Sequence, residues 1–74
     1  MNYLERIREL REDAGCKQKM IAEYLCIGQK TYSDYELGKT RIPLDSMIKL
    51  AKLYNVSMDY ICGVTNVRQP YPGA

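Results

Sequence analysis

The chain lacks the side chain that enzymes most often use for acid–base chemistry near neutral pH. It contains no histidine, so a Cys-His or Ser-His nucleophile pair cannot form. The three cysteines, Cys16, Cys26 and Cys62, are odd in number and widely spaced, which fits neither a disulfide framework nor a CxxC metal knuckle. We therefore expect no catalytic activity, no metal and no cofactor, and we interpret the cysteines as small apolar packing residues.

Basic residues are in slight excess in the middle of the chain. Eleven basic and nine acidic groups give a net charge of +2, which is too balanced to indicate a polyanionic partner by itself. Residues 16 to 41 nevertheless carry five basic and three acidic groups, whereas residues 1 to 15 carry three and four. Neither a signal-like apolar run nor an apolar stretch of about 18 residues is present. We expect a cytoplasmic protein without a membrane partner, and no small-molecule ligand is evident.

Hydrophobic periodicity predicts the elements that would hold these groups: five short helices and no strand. In residues 3 to 14, Ile7 and Leu10 lie on an apolar arc, while Arg6 lies on the opposite, polar arc. Arg11 is the exception, because it falls inside the apolar arc, where a guanidinium needs a partner or solvent. The pattern predicts a first helix in which Arg11 has a specific partner.

Two helices follow in quick succession and end at glycines. The second runs from Lys17 to about Cys26, and the third from Gln29 to Leu37, where Gly38 stops it. On the third helix, Thr31, Tyr32 and Tyr35 share the predicted buried arc, with Glu36 at its edge. The predicted outward arc consists of Gln29, Lys30, Ser33, Asp34 and Leu37.

The C-terminal half predicts two more helices and a tail. Pro43 opens a broad apolar helix that Asn55 stops, and Ser57 caps a short helix of residues 58 to 62. Residues 64–74 contain two prolines and are predicted to be an extended or partly disordered tail.

Two segments match the sequence pattern of a known family. In QKMIAEYLCIGQKTYSDYELGK the matching letters are Gln18, Ala22, Leu25, Thr31 and the Tyr35-Glu36-x-Gly38-Lys39 ending, and IPLDSMIKLAKLYNVSMDYICG matches further on. Over residues 3 to about 63 the chain resembles the phage-repressor-like (XRE-type, lambda-repressor-like) helix-turn-helix family. The resemblance implies a compact all-α, five-helix DNA-binding domain over residues 1–63, with the helix-turn-helix at residues 18–37.

The sequence departs from the family pattern around the turn. Cys26 occupies a position that is usually glycine, and Gly28 replaces the usual serine or threonine cap of the third helix. Tyr32 stands where an isoleucine or valine is common. A left-handed Cys26 would cost on the order of 1 kcal/mol, which packing must offset.

The resemblance also implies roles for individual residues. The third helix would enter the major groove of double-stranded DNA, with Gln29, Lys30, Ser33 and Asp34 contacting base edges. Backbone phosphates would be contacted by Gln18, Thr31, Lys39, Thr40 and Arg41. A salt bridge known in the family falls on Arg11 and Glu36, the two residues that the helical pattern singles out.

We expect the protein to be a sequence-specific transcriptional regulator, and a repressor of phage or mobile-element type. The alternative is a protein-interaction module, such as an antitoxin or an adapter, on the same fold. One recognition helix covers only a few base pairs, which predicts a homodimer on a near-palindromic operator with half-sites about 10 base pairs apart. Its predicted interface consists of apolar residues that one small core does not obviously absorb: Leu53, Val56, Met58, Tyr60 and Val64.

Overall fold

The computed structural model describes residues 2–68, in which five α-helices follow one another. They are α1 (Tyr3–Asp13), α2 (Gln18–Tyr24), α3 (Gln29–Leu37), α4 (Leu44–Tyr54) and α5 (Met58–Ile61). No strand occurs between residues 2 and 68. The predicted all-α fold is therefore confirmed over this range, while the predicted tail beyond residue 68 lies outside the described residues.

The helix ends form where the local sequence predicts them. Asn2 caps α1, because its Oδ1 accepts a hydrogen bond from the Leu4 amide at 2.7 Å. Ser57 caps α5 in the same way through the Tyr60 amide at 3.0 Å. Gly38 ends α3 in the left-handed region, with φ of 77°. A side chain at this glycine would meet Leu4 Cδ1 at 3.0 Å, so the end of α3 packs closely against α1.

One apolar core joins the helices. α2 packs chiefly against α3, α1 against α3 and α5, and α4 against α5. Burial of this core supplies the main driving force for folding. The buried apolar side chains are Ile7, Leu10, Ile21, Ala22, Leu25, Tyr32, Tyr35, Met47, Leu50, Ala51, Val56, Tyr60 and Ile61.

Arg6 is buried, although the helical period places it on the polar arc of α1. Its side chain is only 3% exposed. The guanidinium donates to the carbonyls of Tyr60 and Thr65, at 3.2 and 3.4 Å, and to Asn66 Oδ1 at 3.1 Å. It also stacks over the Tyr60 ring, 3.9 Å from the centroid. The sequence prediction is wrong here because α5 and the segment after it cover this side of α1.

Residues 64–68 lie against the helices. The Ser57 amide donates to the Arg68 carbonyl at 3.0 Å, and the Ser57 hydroxyl to the Val67 carbonyl at 3.4 Å. Together with the bonds from Arg6, these contacts hold the segment beside α1 and the start of α5. The packed part of the chain thus reaches residue 68, past the domain limit predicted at residue 63.

Other side chains differ from their predicted environments. Thr31 is exposed, although the period of α3 places it on the buried arc. Cys26 and Cys62 are exposed thiols, so their interpretation as buried packing residues is wrong. Cys26 points outward because it occupies the tight turn after α2, and Cys62 because it follows the last turn of α5. Only Cys16 packs partly against the core.

The predicted dimer interface is only partly available at the surface. Val56 and Tyr60 are 4% and 8% exposed and belong to the core, so they are not left over from it. The turn after Asn55 directs Val56 inward, and Arg6 covers the Tyr60 ring. Met58 is half-buried against the core. Leu53 and Val64 are 40% and 75% exposed.

Candidate nucleic-acid interface

A tight turn sets the position of α3. Residues 25–28 separate α2 from α3. The Ile27 amide of this turn donates back to the Ala22 carbonyl on α2 at 3.0 Å. Cys26 takes φ of 60°, the left-handed conformation that the turn requires and that a β-carbon disfavours. Gly28 then precedes α3 as its N-cap residue, with extended backbone and no side-chain cap. The turn therefore leaves the first amides of α3 without a capping side chain.

A part-buried ion pair fixes the other end of α3. Arg11 Nε donates to Glu36 Oε2 at 2.7 Å and Arg11 Nη2 to Glu36 Oε1 at 3.1 Å, a two-point contact. The two side chains are 13% and 4% exposed. Arg11 Nη1 also donates to the Cys16 carbonyl at 3.1 Å. The pair thus ties α1 and the start of the α1–α2 loop to the last turn of α3.

The ion pair controls the protonation of Glu36. Burial of the Glu36 carboxylate acts to raise its pKa, but the hydrogen bonds to its oxygens, that of Arg11 the strongest, act together with the positive charge of Arg11 and hold this pKa below its ordinary value. The same hydrogen bond raises the pKa of Arg11. Burial also raises the pKa of the neighbouring Tyr32 hydroxyl. Both groups of the pair are therefore charged at neutral pH.

Gln18 joins this cluster at the first residue of α2. Its Nε2 donates to Glu36 Oε1 at 3.1 Å, and the side chain is half-buried. A glutamine amide carries two N–H donors, so one remains after the bond to Glu36. Because Gln18 contacts Glu36, the start of α2 lies beside the last turn of α3.

The outward face of α3 carries the residues predicted to contact bases. Gln29 and Lys30 are exposed, whereas Ser33 and Asp34 are half-buried. Lys30 Nζ lies 3.3 Å from Asp34 Oδ2, one turn further along the helix. From Gln29 to Asp34 this face extends about 7.5 Å along the helix axis. The major groove of B-DNA is wide enough to admit an α-helix.

The loop after α3 presents cations from a fixed backbone. Lys39, Thr40 and Arg41 are exposed. The amides of Lys39 and Thr40 donate to the Asp34 carbonyl, at 2.9 and 3.4 Å. The loop therefore follows the last turn of α3 closely.

Other kinds of site find little support in the described part of the chain. Across residues 2–68, no group of three His, Cys, Asp or Glu side chains is placed to hold a metal ion. The same residues contain no helix that is both long and apolar enough to span a membrane.

Comparison with known proteins identifies the arrangement of α2, turn and α3. Residues 7–61 match the helix-turn-helix family, a range that contains both helices and the core around them. The chain belongs to this family. The two helices of the motif are α2 and α3.

Several relatives of this helix-turn-helix chain are transcriptional regulators from bacteria. It is 42% identical over 67 residues to the HTH-type transcriptional regulator ImmR of Bacillus subtilis, covering 90% of this chain and 53% of that protein. It is 35% identical over 54 residues to the cryptic phage CTXphi transcriptional repressor RstR of Vibrio cholerae, covering 73% and 49%. The crystal structure of a transcriptional regulator from Listeria innocua superposes with a TM-score of 0.80 at 27% identity, covering 96% of this chain and 64% of that one.

The matching region covers only part of the curated relatives. It spans 53% of ImmR and 61% of the B. subtilis regulator YobD. The part that they share is therefore the helix-turn-helix domain.

Sequence reasoning did not find the link between Gln18 and Glu36. The residues are 18 positions apart and lie on different helices. Family resemblance gave each residue a separate role, so no sequence signal joined them.

Proposed function

We propose that this chain is a sequence-specific double-stranded DNA-binding domain of a transcriptional regulator, and that it acts as a repressor of phage or mobile-element type. The observation that carries the proposal is the outward face of α3, where Gln29 and Lys30 are exposed and Ser33 and Asp34 are half-buried, and which is followed directly by the exposed residues 39–41. The relationship to ImmR and to the phage repressor RstR supports the regulatory role. The relationship to bacterial regulators supports action in the cytoplasm.

In this proposal, contacts to bases and contacts to phosphates come from different elements. Gln29 offers an amide that pairs with adenine N6 and N7, while Lys30 donates to guanine. Lys39, Thr40 and Arg41 contact backbone phosphates on one side of the recognition helix, with Thr31 on the exposed part of α3. Gln18 contacts a phosphate through the N–H that Glu36 does not use. Glu36 thereby orients the Gln18 amide.

The working unit in this proposal is a two-fold homodimer. One recognition helix contacts too few base pairs to select a single site in a genome, so two copies on a near-palindromic operator are required. Leu53 and Val64 supply exposed apolar surface in the C-terminal third, and Met58 lies half-buried nearby in sequence.

The experiment is a binding titration on genomic fragments, including the promoter of the chain's own gene, at two salt concentrations. We expect affinity to fall steeply with salt, because each cation at a phosphate releases a counterion. Gln29→Ala and Lys30→Ala should change which bases are preferred. Arg41→Ala should weaken all sequences alike and lower the salt slope by about one.

Two outcomes would contradict the proposal. Undetectable or salt-insensitive binding would contradict DNA recognition and favour the alternative, a protein-interaction module on the same fold. Equal, sequence-independent losses in all three variants would mean that the face of α3 does not contact bases.

A further inference from the structure

Lys30 and Asp34 form an ion pair on the outward face of α3. Lys30 Nζ lies 3.3 Å from Asp34 Oδ2, and the side chains are 89% and 21% exposed. The carboxylate is therefore held close to the helix, while the ammonium group reaches into solvent. An exposed pair at this spacing adds little to stability. Its main effect is to hold a hydrogen-bond donor beside an acceptor at the centre of the surface proposed to face DNA.

The two groups have opposite hydrogen-bonding capacities. A lysine ammonium group has three donors and no acceptor, and an ionised carboxylate only accepts. In the major groove, a G·C pair presents two acceptors, guanine N7 and O6, next to one donor, the cytosine N4 amine. An A·T pair instead places its donor, adenine N6, between the acceptors adenine N7 and thymine O4. A carboxylate that accepted from adenine N6 would lie between two further acceptors, adenine N7 and thymine O4, and neither could donate to it.

We infer that Lys30 and Asp34 act as one unit that recognises a G·C base pair in each half-site. Lys30 donates to guanine N7 and O6, and Asp34 accepts from the cytosine amine. The inference rests on the proposed function, and it names part of the DNA sequence that this function requires. Neither residue alone supplies the full pattern.

The pair also limits sequence-independent binding. Asp34 offsets the charge of Lys30 and is repelled by phosphates, so the pair contributes less to general attraction than Lys39 or Arg41 does. Asp34→Ala, which removes both the charge and the acceptor, should therefore raise affinity for DNA of any sequence while weakening the preference for G·C. Higher general affinity together with a weaker G·C preference distinguishes Asp34 from a residue that only supports the fold. Loss of structure would lower both the affinity for DNA and the G·C preference.

The test uses the full chain and selects bound sites from a random pool of double-stranded DNA. It compares wild type with Lys30→Ala, Asp34→Ala and the double variant, and Arg41→Ala is the control. We expect wild-type sites to share a G·C position whose replacement by A·T weakens binding about tenfold or more. Each single variant should lose most of this discrimination, and the double variant should lose no more. Arg41→Ala should keep the discrimination while binding all sites less tightly.

The outcomes distinguish this inference from the proposed function. Salt-dependent binding to sites without a shared G·C position would overturn the inference and leave the proposed function standing. A G·C preference that survives both single variants would do the same. If wild type retains no DNA, both are overturned. Circular dichroism of each variant checks the fold, which we expect to be unchanged because both side chains lie on the helix surface.

Discussion

At the scale of single residues, Glu36 joins three helices. It accepts hydrogen bonds from Arg11 on α1 and Gln18 on α2 while lying on the last turn of α3. A buried carboxylate without its cation would remain uncompensated. Its environment therefore links the stability of the domain to the orientation of the proposed recognition helix.

We predict that removing one member of the Arg11–Glu36 pair costs about 3 kcal/mol, because it leaves the other charge buried and unpaired. A double-mutant cycle of Arg11→Met and Glu36→Gln measures this by urea unfolding at pH 7. The expected coupling between the two substitutions is more than about 1 kcal/mol. Additive losses would show that the pair contributes no interaction of its own.

The pair also predicts a pH dependence. The pKa of Glu36 is lower in the folded protein than in the unfolded chain, so the ionised carboxylate stabilises the fold above its unfolded pKa. This stabilisation is lost as the pH falls through the folded pKa. The difference in unfolding free energy between wild type and Glu36→Gln should shrink between pH 5 and pH 2, measured by urea titration at each pH. A difference that stays constant over this range would contradict the assignment.

Cys26 is strained by its backbone rather than by its packing. It has φ of 60° and is exposed, so a glycine would relieve the strain without leaving a cavity. We predict that Cys26→Gly stabilises the domain by about 1 kcal/mol in thermal unfolding. Asn55→Gly is the matched control at φ of 55°, and we expect a smaller gain because asparagine tolerates this region. Equal gains at both positions would argue against a specific strain at Cys26.

At the scale of elements, α1 contacts the segment after α5, which the sequence analysis did not predict. Arg6 reaches from α1 to the carbonyls of Tyr60 and Thr65, across more than 50 positions of sequence. The pairing closes the domain, because it joins one of the first turns of the chain to the last residues that the structure describes.

We predict that Arg6→Met lowers the free energy of unfolding by about 2–3 kcal/mol, because it leaves buried carbonyls without a donor. Arg8→Met is the matched control, because Arg8 lies two residues further along α1 and is exposed. We expect it to change the free energy of unfolding by no more than about 0.5 kcal/mol. The Ser57 amide, which donates to the Arg68 carbonyl, should exchange faster with solvent in Arg6→Met. Unchanged exchange at Ser57 would mean that Arg6 does not hold the segment.

At the scale of the whole molecule, the proposed homodimer depends on side chains that the single domain leaves exposed. We predict that Leu53→Glu or Val64→Glu abolishes dimer formation and lowers operator affinity while the domain stays folded, since both positions are exposed. Leu44→Glu is the control, at an exposed position outside the proposed interface. Sedimentation with and without operator DNA and footprinting measure the result. One copy bound at saturation to a single, unrepeated half-site would contradict the dimer.

The amino-acid sequence determined the features that depend on neighbouring residues. Helix positions, the caps at Asn2 and Ser57, and the outward position of Gln29 and Lys30 all follow from local periodicity and turn chemistry. It also marked Arg11 as needing a partner, since a cation on an apolar arc is costly. Family resemblance then supplied Glu36 as that partner.

The tertiary structure decided what depends on residues distant in sequence. Whether Arg6 faces solvent or a neighbour is set by α5 and residues 64–68, which helical periodicity within α1 cannot represent. Val56 and Tyr60 enter the core for the same reason, and so leave the surface where dimerisation was expected. The bond from Gln18 to Glu36 likewise exists only because the start of α2 and the end of α3 are packed side by side. A helical period describes one element's two faces, and only packing determines what covers each face.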